Sequence, residues 1–207
     1  MFIRNDMNIS YVRVFHASPD APPVDVYVNG GLTFKNLSFK DFSQYAQLPI
    51  GEYKIEVFAA GQKGNAVLSQ NVQVPEKEVI TIAAAGNFED LQLIPYVEGD
   101  AQDLSVNRSR VRVVHLSPDS PNIEVLINGK LTFDDLGFMD ASDYIQLPSG
   151  TYNMKINLAD TNDTALNLRP ELKSQKVYTI YIVGNPPNLS GIQSLDGSTF
   201  VRFEQLY

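Results

Sequence analysis

Cysteine and tryptophan are absent from this chain, and histidine occurs only twice in 207 residues. Without cysteine there is no disulfide framework, thiol nucleophile, iron–sulfur ligand set or cysteine zinc knuckle, so the fold must hold by core packing. Two histidines leave little for imidazole-based metal or acid–base chemistry. Basic charge is also short: 16 Lys and Arg against 24 Asp and Glu give a net charge of -8. Nucleic acids need a basic face whose contacts release condensed counterions, so no nucleic-acid partner is expected. Long apolar runs are missing too. The longest, Val79 to Ala85, falls far short of the roughly 20 residues that span a bilayer. Met1 to Ser10 carries Arg4 and Asp6 and lacks the apolar stretch of roughly 7–15 residues of a secretory signal. The expectation is a soluble chain with no transmembrane segment and no visible leader.

What is present is one unit written twice. Val12-Arg13-Val14-Phe15-His16-Ala17-Ser18-Pro19-Asp20 recurs 99 positions later as Val111-Arg112-Val113-Val114-His115-Leu116-Ser117-Pro118-Asp119. The match runs without a gap to Ala60 and Ala159, with about half the positions identical. Shared landmarks are Asn29-Gly30 and Asn128-Gly129, Tyr45 and Tyr144, Gly51 and Gly150, and Tyr53 and Tyr152. The register then slips by one, so that Thr81 pairs with Thr179 and Gly86-Asn87 with Gly184-Asn185. Two tandem domains follow, 1–105 and 106–207, joined by a polar linker over Glu98 to Ser109. The first holds 7 basic and 13 acidic residues and the second 9 and 11, net charges of -6 and -2. The surfaces have diverged more than the scaffold, which suits two binding or structural modules better than one active site duplicated intact.

Period-2 alternation makes each unit all-β. Val24, Val26 and Val28 alternate with Asp25 and Tyr27, and Ile123, Val125 and Ile127 with Glu124 and Leu126; both runs end in Asn-Gly, a strong hairpin signal. Tyr53, Ile55 and Val57 face one side of a later strand, with further strands expected over Val67 to Val74, Val79 to Ala85 and Leu91 to Tyr96. Helical turns are expected only at Lys35 to Phe42 and Asp134 to Ala141. Short strands at 8–12-residue spacing predict two tandem immunoglobulin-like (prealbumin-like) antiparallel β-sandwich domains. Leu-x-x-Gly-x-Tyr predicts a tyrosine corner at Tyr53 and Tyr152. Phe200-Val201-Arg202-Phe203 echoes the start of each unit and suggests a closing strand, with Ser109 to His115 serving both domains.

The stretches His16 to Tyr27 and Leu48-Pro49-Ile50-Gly51-Glu52-Tyr53 resemble the signature of the bacterial and archaeal family called domain of unknown function 4397. The resemblance covers both repeats. It implies a β-sandwich module, often in tandem, frequently in exported or cell-envelope proteins, with no established catalytic residues. The second unit departs from the pattern at Asn122, Glu124 and Leu126, which stand where the first has Pro23, Asp25 and Tyr27.

Candidate ligand-binding residues are the repeated polar cluster His16, Ser18, Asp20 and His115, Ser117, Asp119. Each set is able to contact a ligand at a strand-to-loop edge. The structural reading competes with this: His16 keeps phase with Val12 and Val14, which turns its ring toward the sandwich, and Ser and Asp flanking Pro are turn-stabilising residues. A Ser-His-Asp triad would need the base held between nucleophile and carboxylate, and neighbours on one strand diverge. One His per repeat does not make a zinc site. Asp100 with Asp103, or Asp160 with Asp163, are oxygen donors for calcium but lack an EF-hand pattern. Tyr11, Tyr27, Phe58 and Tyr181 are outward aromatics that a carbohydrate would require. No catalytic residue, metal or cofactor is expected. The reading is a non-catalytic β-sandwich module of the cell envelope or exterior, with a protein or glycan partner and its oligomeric state open. The alternatives are an intracellular or spore-coat-type assembly protein and a hydrolase using the His-x-Ser-Pro-Asp motif.

Overall fold

A computed structural model describes residues 8–62, 64–159, 161, 163–201 and 203. The described chain divides into two compact units, residues 8–98 with Phe203, and residues 99–201. Each is a β-sandwich, in accord with the all-β alternation.

The first unit contains β1 (Ile9–His16), β2 (Val24–Val28), β3 (Gly31–Leu37), β4 (Ala46–Pro49), β5 (Gly51–Ala59), β6 (Leu68–Val74), β7 (Val79–Ala85) and β8 (Gln92–Val97). One sheet has the order β4-β1-β7-β8 and the other β3-β2-β5-β6. Most pairings are antiparallel, but β1 and β7 run parallel, with Val12 beside Ile80 and Val14 beside Ile82. Val12, Val14, Ile80 and Ile82 meet Val24, Val26, Ile55 and Val57 between the sheets. Each such side chain contributes about 1.5–3 kcal/mol on full burial, the only large stabilising term open to a chain without crosslinks.

The second unit repeats the plan with β9 (Arg108–Leu116), β10 (Ile123–Ile127), β11 (Lys130–Leu136), β12 (Ile145–Pro148), β13 (Gly150–Thr151), β14 (Met154–Leu158), β15 (Thr164–Leu168), β16 (Glu171–Leu172), β17 (Val177–Val183) and β18 (Ser190–Leu195). Its sheets are β12-β9-β17-β18, with β9 and β17 parallel, and β11-β10-β14-β15, plus the short pair β13-β16. That pair is the far end of one ladder broken in two. In the first unit Tyr53 stands opposite Val72 in an uninterrupted ladder. The second unit has Pro170 at the corresponding place, and proline has no N–H to donate. Pairing lapses there, although the Tyr152 N–H still reaches the Pro170 carbonyl at 3.1 Å.

Turn chemistry follows the sequence closely. Asn29-Gly30 and Asn128-Gly129 have φ of 49° and 78°, and 50° and 81°, the left-handed pairs of a type I′ hairpin. The hydroxyls of Tyr53 and Tyr152 donate to the carbonyls of Pro49 and Pro148 at 2.9 and 2.7 Å. They pin the point where the chain leaves one sheet for the other.

Other expectations give way. Lys35 to Phe42 is not helical: β3 continues to Leu37, and a turn follows in which the Asp41 carboxylate accepts the Ser38 N–H at 2.9 Å. Gly137 and Asp140 repeat that bond at 2.9 Å. The short 3-10 turns lie at Phe88–Asp90 and Gly197–Thr199 instead. The linker is not a free polar tether either. Glu98 is buried in the first unit, Leu104 is buried in the second, and Ser109 is already within β9. Among the described residues Ser109 to His115 pairs with β12 and β17 of its own unit and bridges Ala141 through Val114. Phe200 and Val201 belong to no strand, and Arg202 lies outside the described residues.

Candidate functional site

His16 closes β1 in the core-facing phase and is 1% exposed. Its Nε2 lies 3.1 Å from the Pro22 carbonyl, so Nε2 carries the proton and Nδ1 is left without a partner. His115 repeats the bond to Pro121 at 3.2 Å, and its Nδ1 accepts the Ser117 N–H at 3.4 Å. Burial is the main cause that lowers the pKa of both rings, against the weaker opposing pull of the carbonyls and of Asp41 or Asp140. Both are therefore held neutral as donors.

The rest of the motif turns away from the ring. Ser18 Oγ donates to Asp20 Oδ1 at 3.3 Å, and that oxygen also accepts the Phe88 N–H at 2.9 Å. Asp119 instead accepts from the Asn185 side-chain amide at 2.7 Å, and the buried Ser117 Oγ has no partner. Asp20 and Asp119 thus clasp the loop that begins at Gly86-Asn87 and Gly184-Asn185. Those glycines are required. Their φ values are 105° and 91°, and a Cβ would stand 2.7 Å from the Asp90 carbonyl oxygen and 2.6 Å from that of Asn188. The serine hydroxyls are not bonded to the imidazoles, so the geometry is not that of a nucleophile with its base. Among the described residues no group of three or more His, Asp or Glu is placed to hold a metal. Asp160 lies outside the described residues.

A second repeated cluster was not assembled from the sequence. Arg13 lies on the face of β1 turned away from the core, yet is 6% exposed because Phe42 and Tyr45 cover it, at 4.5 and 4.8 Å from ring centre to guanidinium carbon. Its Nε donates to Thr81 Oγ1 at 2.8 Å, and its terminal nitrogen meets Glu98 Oε1 at 3.2 Å. Thr81 and Tyr45 hydroxyls donate to the same carboxylate oxygen at 2.7 and 2.6 Å. The second unit rebuilds this with Arg112 over the Tyr144 ring at 4.5 Å, and Arg112 Nε on Thr179 at 3.1 Å. Tyr144 and Thr179 donate to Asp196 at 2.7 and 2.8 Å. Burial first, and the Asp196 charge second, push the Tyr144 phenol far above its ordinary pKa, which keeps it a donor. In the first unit Arg13, Thr81, Tyr45 and Glu98 satisfy one another, as a buried charge demands. The available signal was an Arg, a Tyr and a Thr each retained at the repeat offset within apolar strands.

Of the four outward aromatics, Tyr11, Tyr27 and Phe58 are half-buried. Tyr181 is 0% exposed, and Tyr27 and Phe58 pack edge to face at 5.1 Å. Asp25 is also closed off: its two oxygens accept the N–H groups of Asn36 at 2.8 Å and Gly61 at 2.9 Å, and the Gly61 bond leads in lowering its pKa. No helix of the described residues is long and apolar enough to cross a membrane.

The family model described as domain of unknown function DUF4397 matches residues 10–125 and again 109–201. No curated protein matches the chain. Similar solved structures include the Bacillus anthracis TIE protein, 14% identical over 86% of this chain and 34% of that one, at a TM-score of 0.28. This chain spans about a third of that protein's length. A family CBM26 module from Eubacterium rectale, solved in complex with maltoheptaose, is 10% identical over 92% of this chain and 99% of its own, at 0.29. A protein described as a putative adhesin from Bacteroides ovatus is 10% identical over 93% and 97%, at 0.24.

Proposed function

The chain belongs to the DUF4397 family, and from that membership and its closed polar clusters we propose a non-catalytic binding or structural module of the cell envelope or exterior, with a protein or glycan partner. One observation carries the reading: in both units the polar motif with the strongest claim to chemistry is turned inward. His16 and His115 are buried against backbone carbonyls, and Asp20 and Asp119 hold loops. On this reading His16, Ser18, Asp20, His115, Ser117 and Asp119 are scaffold, and recognition belongs to the surfaces in which the two units differ. The envelope setting rests on what the family resemblance implies.

The test pairs arrays of glycans and surface proteins with a panel of chromogenic ester, amide and glycoside substrates. The expected result is saturable binding that survives His16→Gln and His115→Gln in folded protein, without turnover. Turnover abolished by either substitution in folded protein would overturn the proposal.

A further inference from the structure

The broken ladder of the second unit opens a groove of about 460 Å³ beside the Asn128-Gly129 turn, within the roughly 300–1,000 Å³ of small-ligand clefts. Asn153 and Arg169 lie one step beyond the Met154–Leu168 pair, at the break, and Lys155, Asn167, Asn128 and Leu168 join them in the lining. Asn128 Oδ1 is already used by the Asn153 N–H at 2.9 Å, which leaves its amide NH2 as donor. No carboxylate is among the lining residues. Glu124 and Glu171, on β10 and β16, lie outside it.

The corresponding positions of the first unit differ in chemistry. Glu56 stands where Lys155 does and pairs with Lys54 at 2.7 Å; Ser69 and Asn71 stand for Asn167 and Arg169; and the ladder runs unbroken past Tyr53 and Val72. A neutral surface there is thus replaced by amides and two cations around a cleft.

We infer that this groove binds an acidic sugar, a carboxylate or sulfate on a hydroxyl-bearing ring. Arg169 and Lys155 take the anionic oxygens through charge-assisted bonds. The three Asn amides offer donors and acceptors to hydroxyls. The net charge of -8 disfavours a long polyanion. It does not disfavour one or two charges in a local cationic site, since exposed charges beyond about 8 Å are screened at physiological salt. The inference rests on the proposed role as a binding module and names the ligand class of one surface.

The test is an NMR titration of the full ¹⁵N-labelled chain with trigalacturonate, galactose 6-sulfate, neutral galactotriose and triglutamate. Saturable shifts at the amides of Asn128, Asn153 and Arg169 are expected with the carboxylated or sulfated sugar, and which of the two binds identifies the source of the anion. Affinity should fall at least about tenfold in Arg169→Gln with Lys155→Gln, the loss of one charge-assisted bond or more. Unchanged affinity in that variant, equal response to galactotriose or triglutamate, or no response to either acidic sugar would overturn the assignment. In that event, binding elsewhere on the glycan and protein arrays leaves the module reading standing, and failure there removes both.

Discussion

The two units share a backbone plan and distribute side-chain volume differently within it. On the outer face of the first, Phe15 stacks on Phe42 at 4.1 Å, and Ala83 is the strand neighbour of Phe15. In the second, Val114 and Ala141 occupy the two phenylalanine positions, and Tyr181 takes the place of the alanine, fully buried. Two rings became small and one small residue became a ring. The same exchange occurs inside the sandwich. Gln70 of the first unit bonds the backbone N–H and carbonyl of Leu93 at 3.0 and 2.9 Å. Leu168 and Gly191 stand at those positions in the second. There a Cβ on Gly191 would lie 2.3 Å from a Leu168 methyl, so the leucine moved from one strand to the other. Close packing explains why such changes come in sets: a void or an overlap costs more than the exchange.

The largest effect should come from breaking what both units retain. Glu98→Ala leaves the Arg13 guanidinium buried without its carboxylate, and should cost about 3–5 kcal/mol in denaturant unfolding, with loss of amide protection confined to the first unit. An equal loss of protection in both units would mean that the two do not unfold separately.

Next come the exchanged pairs. Gly191→Leu should overpack the second unit by about 1–3 kcal/mol, and adding Leu168→Gln, the first-unit pair, should recover most of that loss. A double-mutant cycle reads the coupling directly; simple additivity would show that the two positions do not share one volume.

The tyrosine corners sharpen the comparison from the other side, because their geometry is the same in both units. Tyr53→Phe and Tyr152→Phe should each cost about 1 kcal/mol, the net worth of one hydrogen bond, and the two losses should agree. A loss in only one unit would show that the matching geometry conceals unequal roles.

The histidines bring pH into the comparison. Each has a folded pKa lowered by burial, so the unfolded chain binds the proton more readily. Their contribution is complete above the unfolded value of about 6.5 and is lost as pH falls below it toward the folded value. His16→Gln and His115→Gln should each flatten that part of the stability profile. Because His115 makes one more bond than His16, its replacement should cost more at pH 8, by about 1 kcal/mol. Stability curves from pH 8 to pH 5 would check both points.

Much of this was legible from local chemistry. The Asn-Gly hairpins, the alternating valines of β2 and β10, and the Leu-x-x-Gly-x-Tyr corners each depend on a few adjacent residues whose backbone needs are strict. The inward turn of His16 followed from its phase with Val12 and Val14. The Arg13, Tyr45, Thr81 and Glu98 cluster was not legible as one object. Its members come from two strands, β1 and β7, and from the segments just before β4 and just after β8, and Glu98 reads as the start of a linker because it is an acid at the edge of a polar stretch. Nor did the repeat near Phe200 reveal that Phe200 and Val201 belong to no strand, since matching residues do not ensure a free strand edge to pair with.

The sequence by itself determined the duplication, the β class, the turn positions and the exclusion of thiol chemistry, because repeats, periodicity and composition are properties of the chain alone. Tertiary structure decided which polar side chains are enclosed, which strands run parallel and where a ladder breaks to leave a groove. Those outcomes depend on what packs above each residue and on which backbone N–H has a partner, and both are set by residues many positions away.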